Sequence, residues 1–373
     1  MSYKQDQGTH DHLDYLDSVR GIAAIMVMVY HFINWKYESR IEAQIGSIIF
    51  NGSDAVSFFF VLSGFVLSYK YIFLRHSLDI GRFYINRIFR LWPAFFITIL
   101  LNALNWNRND LGIHNLLNIF IFNKAHFWEE ALLLFKAHPI FYTPGWTLVI
   151  ELAISLFVPF MIVLANKDKR IIYWLLFIFL LIGVNMGDWY MFHFHFALGI
   201  LLSCFFSQIN TPAFKQTRWF KFRYLILGIS FVLYSIRHID RIMPFGTVYN
   251  DFAKYTGVNF FHYTAIASFV FIAAILCSKK TQTILNHKFL RFFGKISYGI
   301  YLMHWLLVTD VFIYWDNLAA PFHEKKIAFA AVFIGYFIAT ILLAAILHYA
   351  IELPFIKLGK RIANRMKPTL QIK

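Results

Sequence analysis

The dominant pattern along the chain is a series of long apolar runs separated by short polar stretches. A helix that spans a bilayer needs about 20 mainly apolar residues. The runs are long and do not alternate between apolar and polar positions, so they predict helices and not barrel strands. The predicted spans are 17–34, 47–69, 89–106, 145–165, 171–187, 190–208, 221–236, 258–277, 297–315 and 327–350.

The composition agrees with a membrane protein. Of the 373 residues, 59% are hydrophobic and 15% are charged, whereas soluble domains carry about 25% charged residues. The polar N-terminus, MSYKQDQGTHDHLDYLD, lacks the pattern of a cleavable signal, so we expect the first apolar helix to act as the targeting signal. We predict an all-α, polytopic transmembrane helical bundle of about ten spans.

The formal net charge of +15 is explained by how the basic residues are distributed across the membrane. With a cytoplasmic N-terminus, 25 of the 35 Lys and Arg residues fall in cytoplasmic segments, as the positive-inside rule requires. Ten acidic residues fall on the opposite side, namely Glu38, Glu42, Asp110, Glu129, Glu130, Asp188, Asp240, Asp251, Asp316 and Glu324. We therefore expect both termini to be cytoplasmic. We expect the lipid bilayer to be a partner of the protein, and we expect no nucleic-acid partner.

The chain divides into three predicted parts: a polar tail (1–12), a transmembrane domain (13–361) and a basic cytoplasmic tail (362–373). The long connection between the third and fourth spans, residues 107–142, contains the amphipathic stretch HNLLNIFIFNK. We expect that stretch to lie in the membrane interface.

The first span, LDSVRGIAAIMVMVYHF, contains Arg20 and His31. Eleven residues are close to three helical turns, so the two side chains share one face and lie roughly 16 Å apart along the axis. Ionisable groups at such depth face the protein interior or a watered cavity, and imidazole suits the deprotonation of a hydroxyl. The alternative is a histidine satisfied by a neighbouring carbonyl.

Two further arginines follow in RFYINRIFRLWP, where Arg87 and Arg90 are three residues apart and share a helix face. Paired guanidinium groups at the cytoplasmic surface can bind phosphate. Ordinary positive-inside anchoring, with Trp92 in the interface, is the alternative and on this motif alone the stronger one.

Acidic residues also occur within the apolar runs. They are Asp54, Glu151, Asp310 and, at the inner end of the last span, Glu352. Carboxylates facing lipid are improbable. They can orient an imidazole, hold a substrate hydroxyl or pair with an arginine, and a structural ion pair is an open alternative for Asp310.

Other polar residues carry weaker signals. Ser63 and Gly64 are small residues that let helices approach closely, and Ser63 lacks the context of a nucleophile. In GKISYGIYLMHW, Tyr301 and His304 are three residues apart and are therefore neighbours on the helix.

Metal binding is not predicted. His193 and His195 of HFHF are two residues apart and point to nearly opposite helix faces. The two cysteines, Cys204 and Cys277, form neither a disulfide framework nor a Cys/His metal spacing.

Together these pieces resemble acyltransferase family 3, the membrane O-acyltransferases. The motifs occur in the order of that family over nearly the whole chain, and none is specific alone. They are LDSVRGIAAIMVMVYHF, FFFVLSGFVLSY, RFYINRIFRLWPAFF, GWTLVIELAISLF, GKISYGIYLMHW and YAIELPFIKLG.

The resemblance implies transfer of an acyl group, usually acetyl, from cytoplasmic acyl-coenzyme A to a hydroxyl of a glycan or lipid-linked saccharide. It makes His31 the catalytic histidine, and Glu151 and Glu352 match recurrent acids of the family. Carried over in the same way, Arg20, Arg87 and Arg90 would bind the donor phosphates. The candidates for substrate binding are Asp54, Trp146, Tyr301 and His304.

The sequence therefore leads to one hypothesis and one alternative. In the hypothesis, His31 deprotonates the acceptor hydroxyl or carries the acyl group, Glu352 organises Arg20 or the donor site, and no metal takes part. We expect a multi-pass protein of the bacterial inner membrane, with homo-oligomerisation left open. The alternative is a transporter or flippase that uses intramembrane His, Asp and Glu as a proton relay, although the chain shows no inverted repeats.

Overall fold

The computed structural model describes residues 13–37, 41–109, 112–121, 126–133, 140–186, 188–209, 211–242, 256, 258–366 and 371–372. In chain order the helices are α1 (Asp14–Tyr37), α2 (Ile41–Ile49), α3 (Gly52–Ile72), α4 (Ile80–Trp106), α5 (Ile113–Phe120), α6 (Phe127–Ala131), α7 (Trp146–Lys167), α8 (Arg170–Met186), α9 (Asp188–Ile209), α10 (Pro212–Gln216), α11 (Arg218–Lys221), α12 (Arg223–Ile242), α13 (Phe260–Cys277), α14 (Lys279–Leu285), α15 (Lys288–Lys295), α16 (Ser297–Ile313), α17 (Trp315–Ala319), α18 (Lys325–Leu347) and α19 (Leu353–Arg365).

Three shorter features complete the fold. A 3-10 turn, Thr143–Gly145, precedes α7, and a π-helical turn, His348–Glu352, joins α18 to α19. Strands β1 (Leu78–Asp79) and β2 (Gln371–Ile372) form one antiparallel pair.

Each of the ten predicted spans coincides with a helix, and the all-α prediction is confirmed. Seven segments of the described chain are long and apolar enough to cross a membrane, or eight if the bent pair α15–α16 is one span. Helix α8 has an apolar part of 16 residues, Arg170–Asn185, which at 1.5 Å per residue falls short of a bilayer core of about 30 Å. Helix α12 carries charged residues near both ends. A count of ten spans is therefore not confirmed, and the orientation of the termini stays a prediction.

Helix α3 lies at the centre of the bundle and crosses α9 at very close range. A Cβ atom on Gly64 would lie 2.3 Å from the carbonyl oxygen of Phe196, and one on Gly199 would lie 2.1 Å from that of Val61. Only glycine permits this approach. The packing role predicted for Gly64 is thus confirmed, and the tight crossing fixes α3 as one wall of the site.

Helix α1 runs in the same direction as the bent pair α15–α16. At one end a Cβ atom on Gly21 would lie 2.6 Å from the backbone nitrogen of Gly294, and the Ser18 hydroxyl donates to the carbonyl of Leu285 at 2.6 Å. Near the other end the rings of Trp35 and Phe312 stack at 5.5 Å. The polar residues of α1 therefore face those of α16.

Candidate functional site

A cavity of about 90 Å³ opens among α1, α3, α4, α7 and α16. We call it the arginine cavity, because Arg20, Arg87 and Arg90 lie in its wall. The remaining lining residues are Val56, Phe59, Phe60, Ser63, Leu91, Thr147, Leu148, Glu151, Ser297, Tyr298 and Tyr301. Residues from five motifs that are distant in sequence thus meet around one space.

The Arg87 side chain is held by α7. Its guanidinium forms an ion pair and hydrogen bond with the Glu151 carboxylate, and its Nε donates to the Ser155 hydroxyl at 3.1 Å. The Ser63 hydroxyl donates to the same carboxylate oxygen of Glu151 at 3.0 Å. A buried ion pair with these extra hydrogen bonds has a fixed geometry, so Arg87 and Glu151 present a rigid wall.

Arg20 and Arg90 form fewer polar contacts than Arg87 among the described residues. Arg20 donates to the Asp17 carboxylate at 3.1 Å, and its charge interacts with those of Arg90, Arg87 and Glu151. Within the described residues, the structure records neither a hydrogen bond nor an ion pair for the Arg90 guanidinium. Glu151 is the only acid among the lining residues, so the cavity carries an excess of positive charge suited to an anionic ligand.

Tyr301 lies in the wall of the arginine cavity and contacts the next turn of α16. Its hydroxyl hydrogen-bonds the Thr147 hydroxyl at 2.7 Å and donates to the carbonyl of Pro144 at 3.2 Å. Its backbone carbonyl accepts from the Tyr142 hydroxyl at 2.5 Å and from Nδ1 of His304 at 2.6 Å. Tyr301 is therefore held at both its side chain and its backbone.

His304 and His31 form what we call the histidine pair, with ring centroids 5.0 Å apart. Nδ1 of His31 lies 3.0 Å from the carbonyl of Val27. A carbonyl only accepts, so Nδ1 carries the proton and Nε2 keeps the lone pair. The same argument applies to His304, whose ring is fully buried and whose Nε2 has no hydrogen-bond partner among the described residues. The carbonyl contact is the one considered for His31 from the sequence, and it leaves the lone pair of Nε2 available, so the role of His31 as a base stays a prediction.

A short segment from the long loop braces this arrangement. The Glu130 carboxylate accepts from the backbone N–H groups of Ile140, Phe141 and Tyr142 at 2.7–2.9 Å, and Tyr142 reaches Tyr301. Burial raises the pKa of the Glu130 carboxyl, and the three N–H donors partly offset that effect. Glu130 thus positions the loop that contacts α16.

Three predicted site residues lie outside both the arginine cavity and the histidine pair. Glu352 hydrogen-bonds Nδ1 of His348 at 2.7 Å within the π-helical turn, and its charge interacts with the neighbouring Tyr298. Asp54 lies at the start of α3, 4.0 Å from the His238 ring. Trp146 packs on Phe192 with ring centroids 5.7 Å apart.

Asp310 forms the structural ion pair considered from the sequence. Its carboxylate accepts from Arg108 at 3.0 Å and from Asn105 at 2.9 Å, which ties α16 to α4. His195, from the HFHF stretch, has its Nε2 3.1 Å from the Ser57 hydroxyl, while His193 contacts the carbonyl of Tyr190 at 3.0 Å.

Sequence reasoning missed several residues of the site. Thr147, Ser155 and Tyr142 all contact it directly, and Glu130 acts through the backbone. The four-residue spacing of Ser155 from Glu151 is a signal that was available, because such residues share a helix face. Nothing in the spacing of Glu130 points to its three backbone donors.

A family model described as an acyltransferase domain matches residues 13–349, nearly the whole chain. The match confirms the resemblance seen in the motifs. Comparisons with curated proteins and with solved structures gave no significant match.

Proposed function

Because this chain belongs to acyltransferase family 3 and is a membrane acyltransferase, we propose that it transfers an acetyl group from acetyl-coenzyme A to a hydroxyl of a glycan or lipid-linked saccharide. The observation that carries the proposal is that Tyr301 both lines the arginine cavity and accepts a hydrogen bond from His304 of the histidine pair. It joins a cationic site to a neutral, basic imidazole within one bundle.

The donor phosphates would lie against Arg90 and Arg20. Arg90 has its guanidinium open to a ligand, whereas Arg87 is held by Glu151 and supplies a fixed second charge. Guanidinium groups bind phosphate through two parallel hydrogen bonds.

His31 would act as the general base. The acceptor O–H bond breaks and its proton moves to Nε2 of His31, while the oxygen forms a bond to the thioester carbonyl carbon. The C–S bond then breaks, and the thiolate takes the proton back from the imidazolium. In the variant through an acyl-histidine, Nε2 of His31 attacks the thioester carbonyl carbon first, the C–S bond breaks and the thiolate leaves. The acceptor oxygen then bonds to the acyl carbon, the N–C bond breaks, and the acceptor proton passes to the thiolate.

Glu352 would act on the donor site through Tyr298. The Tyr298 ring lies in the wall of the arginine cavity and its hydroxyl donates to the carbonyl of Leu91 at 2.8 Å. Glu352 interacts with it from outside the cavity. Asp54 and Trp146 stay expectations of the family resemblance, as does the entry of the acceptor from the side opposite the cytoplasm.

The test is thiol release from acetyl-coenzyme A by the purified protein in nanodiscs, with an envelope fraction from a strain lacking the gene as the acceptor source. We expect acceptor-dependent release and an alkali-labile acetyl ester in the product. A proton-coupled transporter would release no thiol, and such a result would remove the proposal. The family match already favours transfer over transport.

A further inference from the structure

A partly exposed aromatic cluster lies directly beside His31. Trp305 meets His31 edge to face, with centroids 5.3 Å apart and planes at 85°. Trp35 meets Trp305 at 5.6 Å and 66°. We call Trp35, Trp305 and Phe312 the aromatic corner, because the planes of the two tryptophans form an open angle next to the proposed base.

Stacked rings support the aromatic corner on one side. The Phe312 ring stacks on Trp35 with planes only 9° apart, and the Trp315 ring stacks on Phe312 at 5.9 Å and 12°. The Trp35 side chain is nevertheless 49% exposed. One face of Trp35 is thus packed, and a substantial part of its indole stays available to a ligand.

This arrangement differs from an ordinary tryptophan of the membrane interface. Trp106, at the end of α4, is 72% exposed and has no ring contact recorded within the described residues. Interface tryptophans need only an apolar body and a polar tip. Neither requirement calls for a stack of parallel rings that is joined to His31 through Trp305.

We propose that the aromatic corner is the acceptor subsite and takes the ring of a sugar. A pyranose has an apolar C–H face, which can lie on the flat indole of Trp35, and an edge of hydroxyl groups. The Trp35 ring contacts Trp305 and the Trp305 ring contacts His31, so a sugar on Trp35 lies one aromatic ring away from the proposed base. The inference rests on the proposed function, because it uses His31 as the base.

The experiment compares single variants of the full-length protein in nanodiscs. The donor is radiolabelled acetyl-coenzyme A, and the probe is the de-esterified, carbohydrate-containing envelope fraction from a strain lacking the gene. We expect Trp35→Ala to raise the KM for this fraction roughly tenfold, as loss of an aromatic stacking partner would. The KM for acetyl-coenzyme A should stay within about twofold. Trp35→Phe, which keeps an aromatic ring, should have a KM for this fraction close to that of the wild type.

The matched control is Trp106→Ala, which removes an exposed tryptophan from another helix and should leave both KM values unchanged. If Trp35→Ala behaves like Trp106→Ala, the aromatic corner is not a subsite. Wild-type protein that releases thiol but labels no sugar also overturns the proposal. By contrast, wild-type protein that releases no thiol at all overturns the proposed function itself, so the two failures are distinguishable.

Discussion

The arginine cavity and the histidine pair lie on the same helices, α1 and α16, but are built from opposite chemistry. The cavity contains three guanidinium groups and one carboxylate, whereas His31 and His304 are surrounded by aromatic rings and backbone carbonyls. Fixed charges suit an anionic group of the donor that needs only to be bound. A neutral imidazole with a free lone pair suits a proton that has to move. The contrast shows how one bundle can separate binding of the donor from the chemistry.

The largest expected effect tests the histidine side of this comparison. His31→Ala should lower acyl transfer roughly 10²–10⁴-fold, the usual contribution of a general base, while the KM for acetyl-coenzyme A changes little. The measurement is steady-state thiol release in nanodiscs. His193→Gln changes a half-buried histidine of α9 and should stay active. Full activity of His31→Ala would contradict the mechanism.

The second effect concerns the buried ion pair of the cavity. Arg87→Met should destabilise the protein by about 3–5 kcal/mol, because it leaves the Glu151 carboxylate buried without a counter-charge. The double variant Arg87→Met/Glu151→Met should recover most of that stability but not the activity. Thermal unfolding in detergent measures the first and thiol release the second. Recovery of activity in the double variant would reduce the pair to a structural role.

The third effect separates phosphate binding from anchoring. Arg90→Gln should raise the KM for acetyl-coenzyme A roughly 10–100-fold, since hydrogen bonds to charged groups contribute about 1.5–3 kcal/mol. With S-acetylpantetheine, which lacks the nucleotide phosphates, wild type and variant should have similar KM values. Lys70→Gln, an exposed cation on α3, is the control. Equal losses with both donors would argue against a phosphate contact.

The smallest expected effect lies in the loop that braces Tyr301. Burial raises the pKa of Glu130 above its ordinary value of 4.5, so the folded state binds the proton more tightly than the unfolded state. The contribution of this carboxyl to stability is therefore present at low pH and lost as pH rises through the raised pKa.

Thermal unfolding measured between pH 4.5 and 7 tests this sign. Wild-type protein should lose more stability with rising pH than Glu130→Gln, which has no titrating group at the position. Parallel curves for the two proteins would show that the position does not titrate in this range.

Much of the fold was predictable, for a physical reason. Apolar length identifies a helix in a bilayer, and every predicted span coincides with a helix. The same rule does not decide whether a helix crosses, because α8 is short and α12 carries charges near its ends. Whether those helices span depends on the helices beside them.

The site was predictable in part. Helix phase placed Arg87 beside Arg90 and Tyr301 beside His304, since spacing defines a face. It does not define what that face meets, so the pairing of His31 with His304 and of Arg87 with Glu151 required the fold. Glu352 and His348 are four residues apart, and this spacing is visible in the sequence. The π-helical turn that holds the pair was not predictable from it.

The parallel run of α1 beside α15–α16 has a consequence for the lengths of these segments. Gly21 contacts Gly294, and ten residues further along both segments His31 contacts His304. One residue inserted between Gly21 and His31 would turn the imidazole by about 100° and advance it by 1.5 Å, away from both His304 and Trp305. In these two stretches, an insertion or deletion in one must therefore be matched in the other.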